Sequence, residues 1–431
     1  MTVYTVKQGD TLYDIARRHG ADTELIARDN ELIAPDALTV GQSLLIRTPQ
    51  VVHKVAEGEN IYTVAQNYGV TTNQLWRNNP SLGGGVTLSA GDMLVISDAV
   101  PIYGRTVASN AYVYPSVNTE VLRKTLPYLT YLTIFSYGVE DDGELGEIND
   151  TPIIEAARQY GVAPIMMVSN LTPEGNYSPE LGERILSSRA LQDILIGEII
   201  RTVTEKRYSG VNLDFEYVPV DYADEYSAFL GRLDEKLGSG GYPLWVSLAP
   251  KTDDSQSGML YEGHNYANLG RAADRATLQT YGWGSRYGKA GAIAPIDKVR
   301  AVAEYAKGKI EPTKIFLGTP NYGYDWAVPF TEGAAATPLG NADAARLAWD
   351  RKAEIEFDGA AQSPHFGYFT REGETARERQ VWFQDARSTE AVMRLINEAG
   401  LYGVSVWNAM RYFPQFWLLL NNSYNIEKIL G

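Results

Sequence analysis

Apolar and polar positions follow two different patterns, and the change falls near residue 100. Before it, the chain repeats itself: YTVKQGDTLYDIARRHG at 4–20 returns as HKVAEGENIYTVAQNYG at 53–69. Gly9 matches Gly58, Asp10 matches Glu59, Leu12 matches Ile61, Tyr13 matches Tyr62 and Gly20 matches Gly69. Asn30 matches Asn79, and VGQSLLI matches AGDMLVI after a slip of one residue. Each copy predicts strand, helix, turn, helix, strand, giving βααβ units over 1–48 and 50–97. The Gly-Asp/Glu-Thr/Asn corner supplies an N-cap for the first helix of each. Two copies are too few for a solenoid.

From residue 103 to 431 short apolar runs alternate with helix-like stretches. The runs are TVASNAYVY, LTYLTIFSYG, VAPIMMVSN, GVNLDFEY, PLWVSLAP, LQTYGW, KIFLGTPNYGY and LYGVSVWN. SRALQDILIGEIIRTVTEKR and ADEYSAFLGRLDEKLG are the clearest helices between them. Eight such runs predict an α/β fold, a (β/α)8 TIM barrel. The long gap before the last run holds ARLAWDRKAEI, HFGYFT and RQVWFQ, which predict a small α+β insertion at about 325–383.

One run breaks the apolar rule. In VNLDFE, Asn212, Asp214 and Glu216 alternate with Val211, Leu213 and Phe215. Strand geometry puts every second side chain on one face. A parallel barrel strand is ordinarily apolar on both faces, so three polar residues in register conflict with stability and point to chemistry at the barrel's C-terminal rim.

Composition narrows the partners. The net charge is −15, of which residues 1–97 carry −3 and the remainder −12, so no basic footprint for nucleic acid or an anionic membrane surface exists in either part. Cys is absent and the four His are scattered without metal-ligand spacing, so neither a metal nor a cofactor is expected. No run approaches a membrane span. MTVYTVKQGDTLYDIARR lacks the apolar core of a secretory signal, so synthesis in the cytoplasm is expected. A monomer is expected.

The repeats resemble LysM domains, whose opening and closing signatures are YTVKQGDTLYDIA and VGQSLLI. The resemblance implies binding of N-acetylglucosamine-containing glycans in a groove. By position that groove falls on Asp10, Thr11, Asn30 and Ile33 in the first copy, and on Glu59, Asn60 and Pro80 in the second. Residues 209–216, SGVNLDFE, resemble the D-G-x-D-x-D-x-E signature of glycoside hydrolase family 18, with Ser209 and Asn212 in place of two Asp. TYGWG and SVWNAM extend that likeness, although Gly282 stands where an acidic residue is usual.

This resemblance implies Glu216 as general acid/base and Asp214 as orienter of the substrate's 2-acetamido group. Tyr281 would hold the acetamido oxygen and Trp407 would floor the sugar site, with Trp283 and Asp325 as rim contacts. Asn212 is expected to hydrogen-bond Asp214 without repelling it. The whole arrangement resembles the spore cortex-lytic N-acetylglucosaminidases of endospore-forming bacteria. That implies spore cortex peptidoglycan as substrate, with a chitinase or a vegetative-wall glucosaminidase as the alternative, and a place at the spore coat, cortex or cell wall. A glycan-binding lectin is the competing class, against which the presence of Glu216 argues.

Overall fold

The computed structural model describes residues 1–34, 37–98, 100–172, 174–372 and 375–430. In the first repeat, strand Thr2–Thr5 pairs antiparallel with Ser43–Ile46, and helices Leu12–His19 and Thr23–Asp29 come between them in the chain. The second repeat has strands Val51–Lys54 and Met93–Ser97 and helices Ile61–Tyr68 and Thr72–Asn78. It adds a short 3₁₀ turn, Pro80–Leu82. The Thr11 side chain accepts from the Asp14 amide, and that of Asn60 from the Tyr62 and Thr63 amides, so both corners cap their helices. Leu12, Ile15, Ala16, Ile26, Leu44 and Ile46 form the first repeat's own core.

The barrel strands are Thr106–Val113, Tyr131–Gly138, Ala163–Ser169, Val211–Asp214, Leu244–Leu248, Arg275–Leu278, Ile315–Pro320 and Gly403–Trp407. Each pairs in parallel with the next, and the eighth returns to the first from Gly403↔Ala108 to Val406↔Ala111. Closure needs a glycine there: a Cβ on Gly403 would lie 1.8 Å from the Ala108 carbonyl oxygen. Helices Arg189–Glu205 and Ala223–Ser239 flank the fourth strand and bury Leu195, Ile199 and Val203, and Phe229, Leu233 and Leu237.

Two runs fold differently from their pattern. The sixth strand covers RATL and stops at Leu278, so most of LQTYGW lies beyond it, on the rim. Charged Asp274 and Arg275 hide the strand's start from an apolar pattern. KIFLGTPNYGY contains two strands: Ile315–Pro320 in the barrel and Gly323–Val328 in the insertion. Asn321 makes the break, its Nδ2 donating to the Asn408 carbonyl at 3.2 Å and that of Arg411 at 2.8 Å. The insertion is a five-stranded antiparallel sheet with helix Asn341–Arg351.

Both repeats are packed on the barrel. Val40 accepts from the Ile355 amide at 2.9 Å, and Gly41, at φ 83°, lies so close that an added Cβ would be 1.7 Å from the Ile355 oxygen. Gln415 donates to Asn30 at 2.7 Å, and Asn421 to Asn78 at 3.1 Å. Fully buried Arg47 joins the repeats, its guanidinium 3.2 Å from Asp29 and donating to the Asn78 carbonyl at 2.9 Å.

Candidate active site

The fourth strand carries Asn212 and Asp214 inward, and both are wholly buried. Strand pairing ends at Asp214. Phe215 turns to the helix side and stacks on Tyr226 and Phe229. Its carbonyl accepts from His264 Nε2 at 3.0 Å, while Nδ1 of that ring accepts from the Ala249 amide at 3.0 Å. This pair of bonds requires a neutral imidazole, and burial pushes the His264 pKa down to about 4. His264 is therefore a strut beneath the site.

Glu216 comes next and is half-buried. Asn170, at the end of the third strand, grips its backbone from both sides: the Glu216 amide donates to Oδ1 at 2.9 Å, and Nδ2 donates to the Glu216 carbonyl at 2.8 Å. Tyr217 follows at φ 55°, a conformation a tyrosine adopts only when its surroundings impose it. The Glu216 side chain thus emerges from a fixed backbone into a cavity of about 320 Å³.

Gln279 joins the two carboxylates. Its Nε2 donates to Asp214 Oδ1 at 3.1 Å and to Glu216 Oε1 at 3.0 Å. The Tyr177 hydroxyl donates to the other oxygen of Asp214. Asn212 does not bond Asp214 as expected. Its Nδ2 donates to Ser247 Oγ at 2.9 Å, and its Oδ1 has no hydrogen-bond partner among the described residues. Burial raises the pKa of Asp214, and burial together with the Asp214 charge raises that of Glu216 further. The two carboxyls therefore differ: Asp214, with donors on both oxygens, ionises first, and Glu216 keeps its proton to higher pH.

Aromatic rings form the rest of the cavity. Trp407 stacks on Tyr281, with centroids 6.3 Å apart and planes 12° from parallel, and packs edge-on to Phe135 at 5.1 Å. Burial holds the Tyr281 phenol well above its usual pKa, so it stays a donor. Tyr114, Phe135, Leu171 and Gly175 also line an adjoining groove of about 480 Å³ that carries Glu140 and Glu147. The site is thus open to a chain longer than one sugar.

The structure brings Glu216, Asp214, Tyr281 and Trp407 together around one cavity and puts Asn212 beneath it. Other expected contacts lie elsewhere. Trp283 packs against the main core and does not line the cavity. Asp325 is buried in the insertion, where it accepts from Tyr368 at 2.7 Å and Arg379 Nε at 2.9 Å. Asn30 is buried with its amide committed to Ile26 and Leu45, and Pro80 is buried too, so neither side chain is open to a glycan. Asp10 and Glu59 close their own turns, on the amides of Lys7 and Ala56 at 2.8 Å each. Thr11 and Asn60 serve as caps, while Ile33 is 50% exposed.

Sequence reasoning missed Gln279, Tyr177, Asn170 and Ser247. Ser247 and Asn170 left a trace, as polar residues in or ending the apolar runs PLWVSLAP and VAPIMMVSN. Gln279 sat within a run read as strand. Tyr177 left none, because its approach depends on a loop closed by the Leu171↔Tyr177 bridge.

Comparisons with known proteins agree with this geometry. The family model "Glycosyl hydrolases family 18" matches residues 115–411, and the LysM domain model matches 4–47 and 53–97. The chain is 37% identical over 435 residues to the "Cortical fragment-lytic enzyme" of Bacillus subtilis (strain 168), covering 99% of each. It is 36% identical to the protein of the same name from Bacillus anthracis, again over 99% of each. The crystal structure of the Bacillus cereus spore cortex-lytic enzyme SleL superposes with a TM-score of 0.83 and 34% identity, covering 99% of this chain and 98% of that one. A two-carboxylate strand end in an aromatic cleft, a closed eight-stranded barrel and a family match over most of the chain lead to one conclusion: the protein belongs to glycosyl hydrolases family 18 and carries two LysM domains ahead of its catalytic barrel.

Proposed function

We propose that the protein hydrolyses spore cortex peptidoglycan at N-acetylglucosaminyl linkages, with retention of configuration and the substrate's own acetamido oxygen as nucleophile. The observation that carries the mechanism is that both carboxylates lining the cavity, Asp214 and Glu216, come from one strand end and share the Gln279 amide. Glycosidases with two-carboxylate displacement flank the scissile bond with their acids. A pair on one side suits an acid plus an orienter instead. Glu216, protonated because burial and Asp214 raise its pKa, donates to the leaving oxygen. Asp214, ionised, accepts the acetamido N–H and stabilises the cationic ring that forms as the acetamido oxygen closes on the anomeric carbon. Tyr281 donates to that oxygen, and Trp407 supports the sugar's apolar face. Water, deprotonated by Glu216, then opens the ring.

The spore cortex is supported as substrate by the full-length similarity to cortical fragment-lytic enzymes. That likeness also supports a place at the spore cortex or coat. LysM units hold the barrel against the polymer and raise the local substrate concentration. Thr11 and Ile33 are exposed in the first copy and Glu59 and Asn60 are half-buried in the second, so the LysM contacts fall on those side chains.

The test is release of reducing ends from purified cortex fragments and from chitin oligomers, followed by mass spectrometry. Glu216→Gln is expected to lower kcat by at least about a hundredfold on cortex with little change in KM. Cleavage of chitin oligomers without release from cortex overturns the substrate, and an unchanged kcat in the variant overturns the mechanism.

A further inference from the structure

Ile33 and the buried Asn30 of the first repeat lie against the barrel's insertion, and the seam leaves a second cavity beside them. Helix Asn341–Arg351 lines that seam opposite residues 30–33, Ala37 and Gln42, and Trp349 near its end is 38% exposed. Trp349 and Ile33 line one narrow cleft, and on its other side Trp349 helps line a cavity of about 470 Å³ with Leu38, Thr39, Val40, Asp350 and Glu354. Thr39 is 6% exposed and its hydroxyl has no hydrogen-bond partner among the described residues. A buried hydroxyl without a partner is costly in a finished fold.

We propose that this seam is a glycan-binding subsite shared between the first repeat and the barrel. It takes an N-acetylglucosamine-containing strand, and rests on the reading of the chain as a glycan hydrolase. The exposed indole offers a sugar's apolar face a flat partner. Asp350 and Glu354 are acceptors for ring hydroxyls, and Thr39 adds a further polar group. The Val40–Ile355 hydrogen bond and the Gly41 contact fix the two walls, so the subsite is preformed. Its continuity with Ile33 lets a strand held by the first LysM unit run on across the barrel's own surface.

The full chain carrying Glu216→Gln, which binds without digesting, is to be pelleted with insoluble peptidoglycan and with chitin. Adding Trp349→Ala is expected to weaken retention about five- to tenfold. Trp349→Phe should recover most of the loss, and Thr39→Val should show a smaller one. Phe369→Ala, an exposed ring on the insertion's hairpin, controls for general surface effects. Equal retention with and without Trp349 overturns the subsite, as does an equal loss in Phe369→Ala. Failure of the Glu216→Gln parent to pellet at all overturns the glycan-binding reading together with it, which separates the two failures.

Discussion

Gln279 ties the two carboxylates together, its Nε2 reaching Asp214 at 3.1 Å and Glu216 at 3.0 Å. The Gln279 amide NH2, donating to both Asp214 and Glu216, favours the ionised form of each. Replacing it with methionine removes that donor, so both pKa values rise. The kcat/KM profile against pH should then move upward on both limbs, since the acidic limb follows ionisation of Asp214 and the basic limb loss of the Glu216 proton. A profile that keeps its position while falling in height would show that Gln279 acts only through packing. Asn212→Asp tests the neighbouring position. A third buried carboxyl beneath Asp214 opposes its ionisation, so the acidic limb should shift upward while the basic limb also rises. An unshifted acidic limb would mean that the new carboxyl stays protonated on Ser247.

At the level of elements, the alternation in VNLDFE carried most of the site, because a buried strand has few reasons to turn polar. The barrel's order was equally legible from eight spaced runs. What escaped was set by contacts between segments far apart in the chain. Arg275, just after Asp274, begins a strand that only its parallel neighbours make regular, and Asn321 ends another by bonding residues some ninety positions away. Asn30, expected by position to contact a glycan, is instead committed to backbone groups of Ile26 and Leu45, and its repeat match Asn79 is held in the same way. Asn79 Nδ2 donates to Leu75 and Val95 at 2.9 and 2.7 Å, and its Oδ1 accepts from the Val95 amide at 2.8 Å. Asn79→Ala leaves those backbone groups unpaired and should cost about 1–3 kcal/mol. Hydrogen exchange at Val95 is the direct reading, and unchanged protection would refute the role.

Across the whole molecule, the seam between the first repeat and the insertion is backbone against backbone. Gly41→Ala drives a methyl group into the Ile355 carbonyl at a φ that already disfavours a side chain. It should destabilise the docked arrangement by about 1–3 kcal/mol, seen as faster exchange of the Ile355 amide with the barrel interior still protected. Loss of protection throughout the barrel would instead mean that seam and barrel unfold as one unit. No sequence pattern announces such a seam: Gly41 looks like any turn glycine until the opposing chain is in place.

The Val40–Ile355 bond has one further outcome. An anchor bolted to its blade cannot swing on a leash, so it chooses substrates by shape. Strands whose course passes both stations gain residence time from the anchor, while short or sharply bent pieces meet the blade unaided.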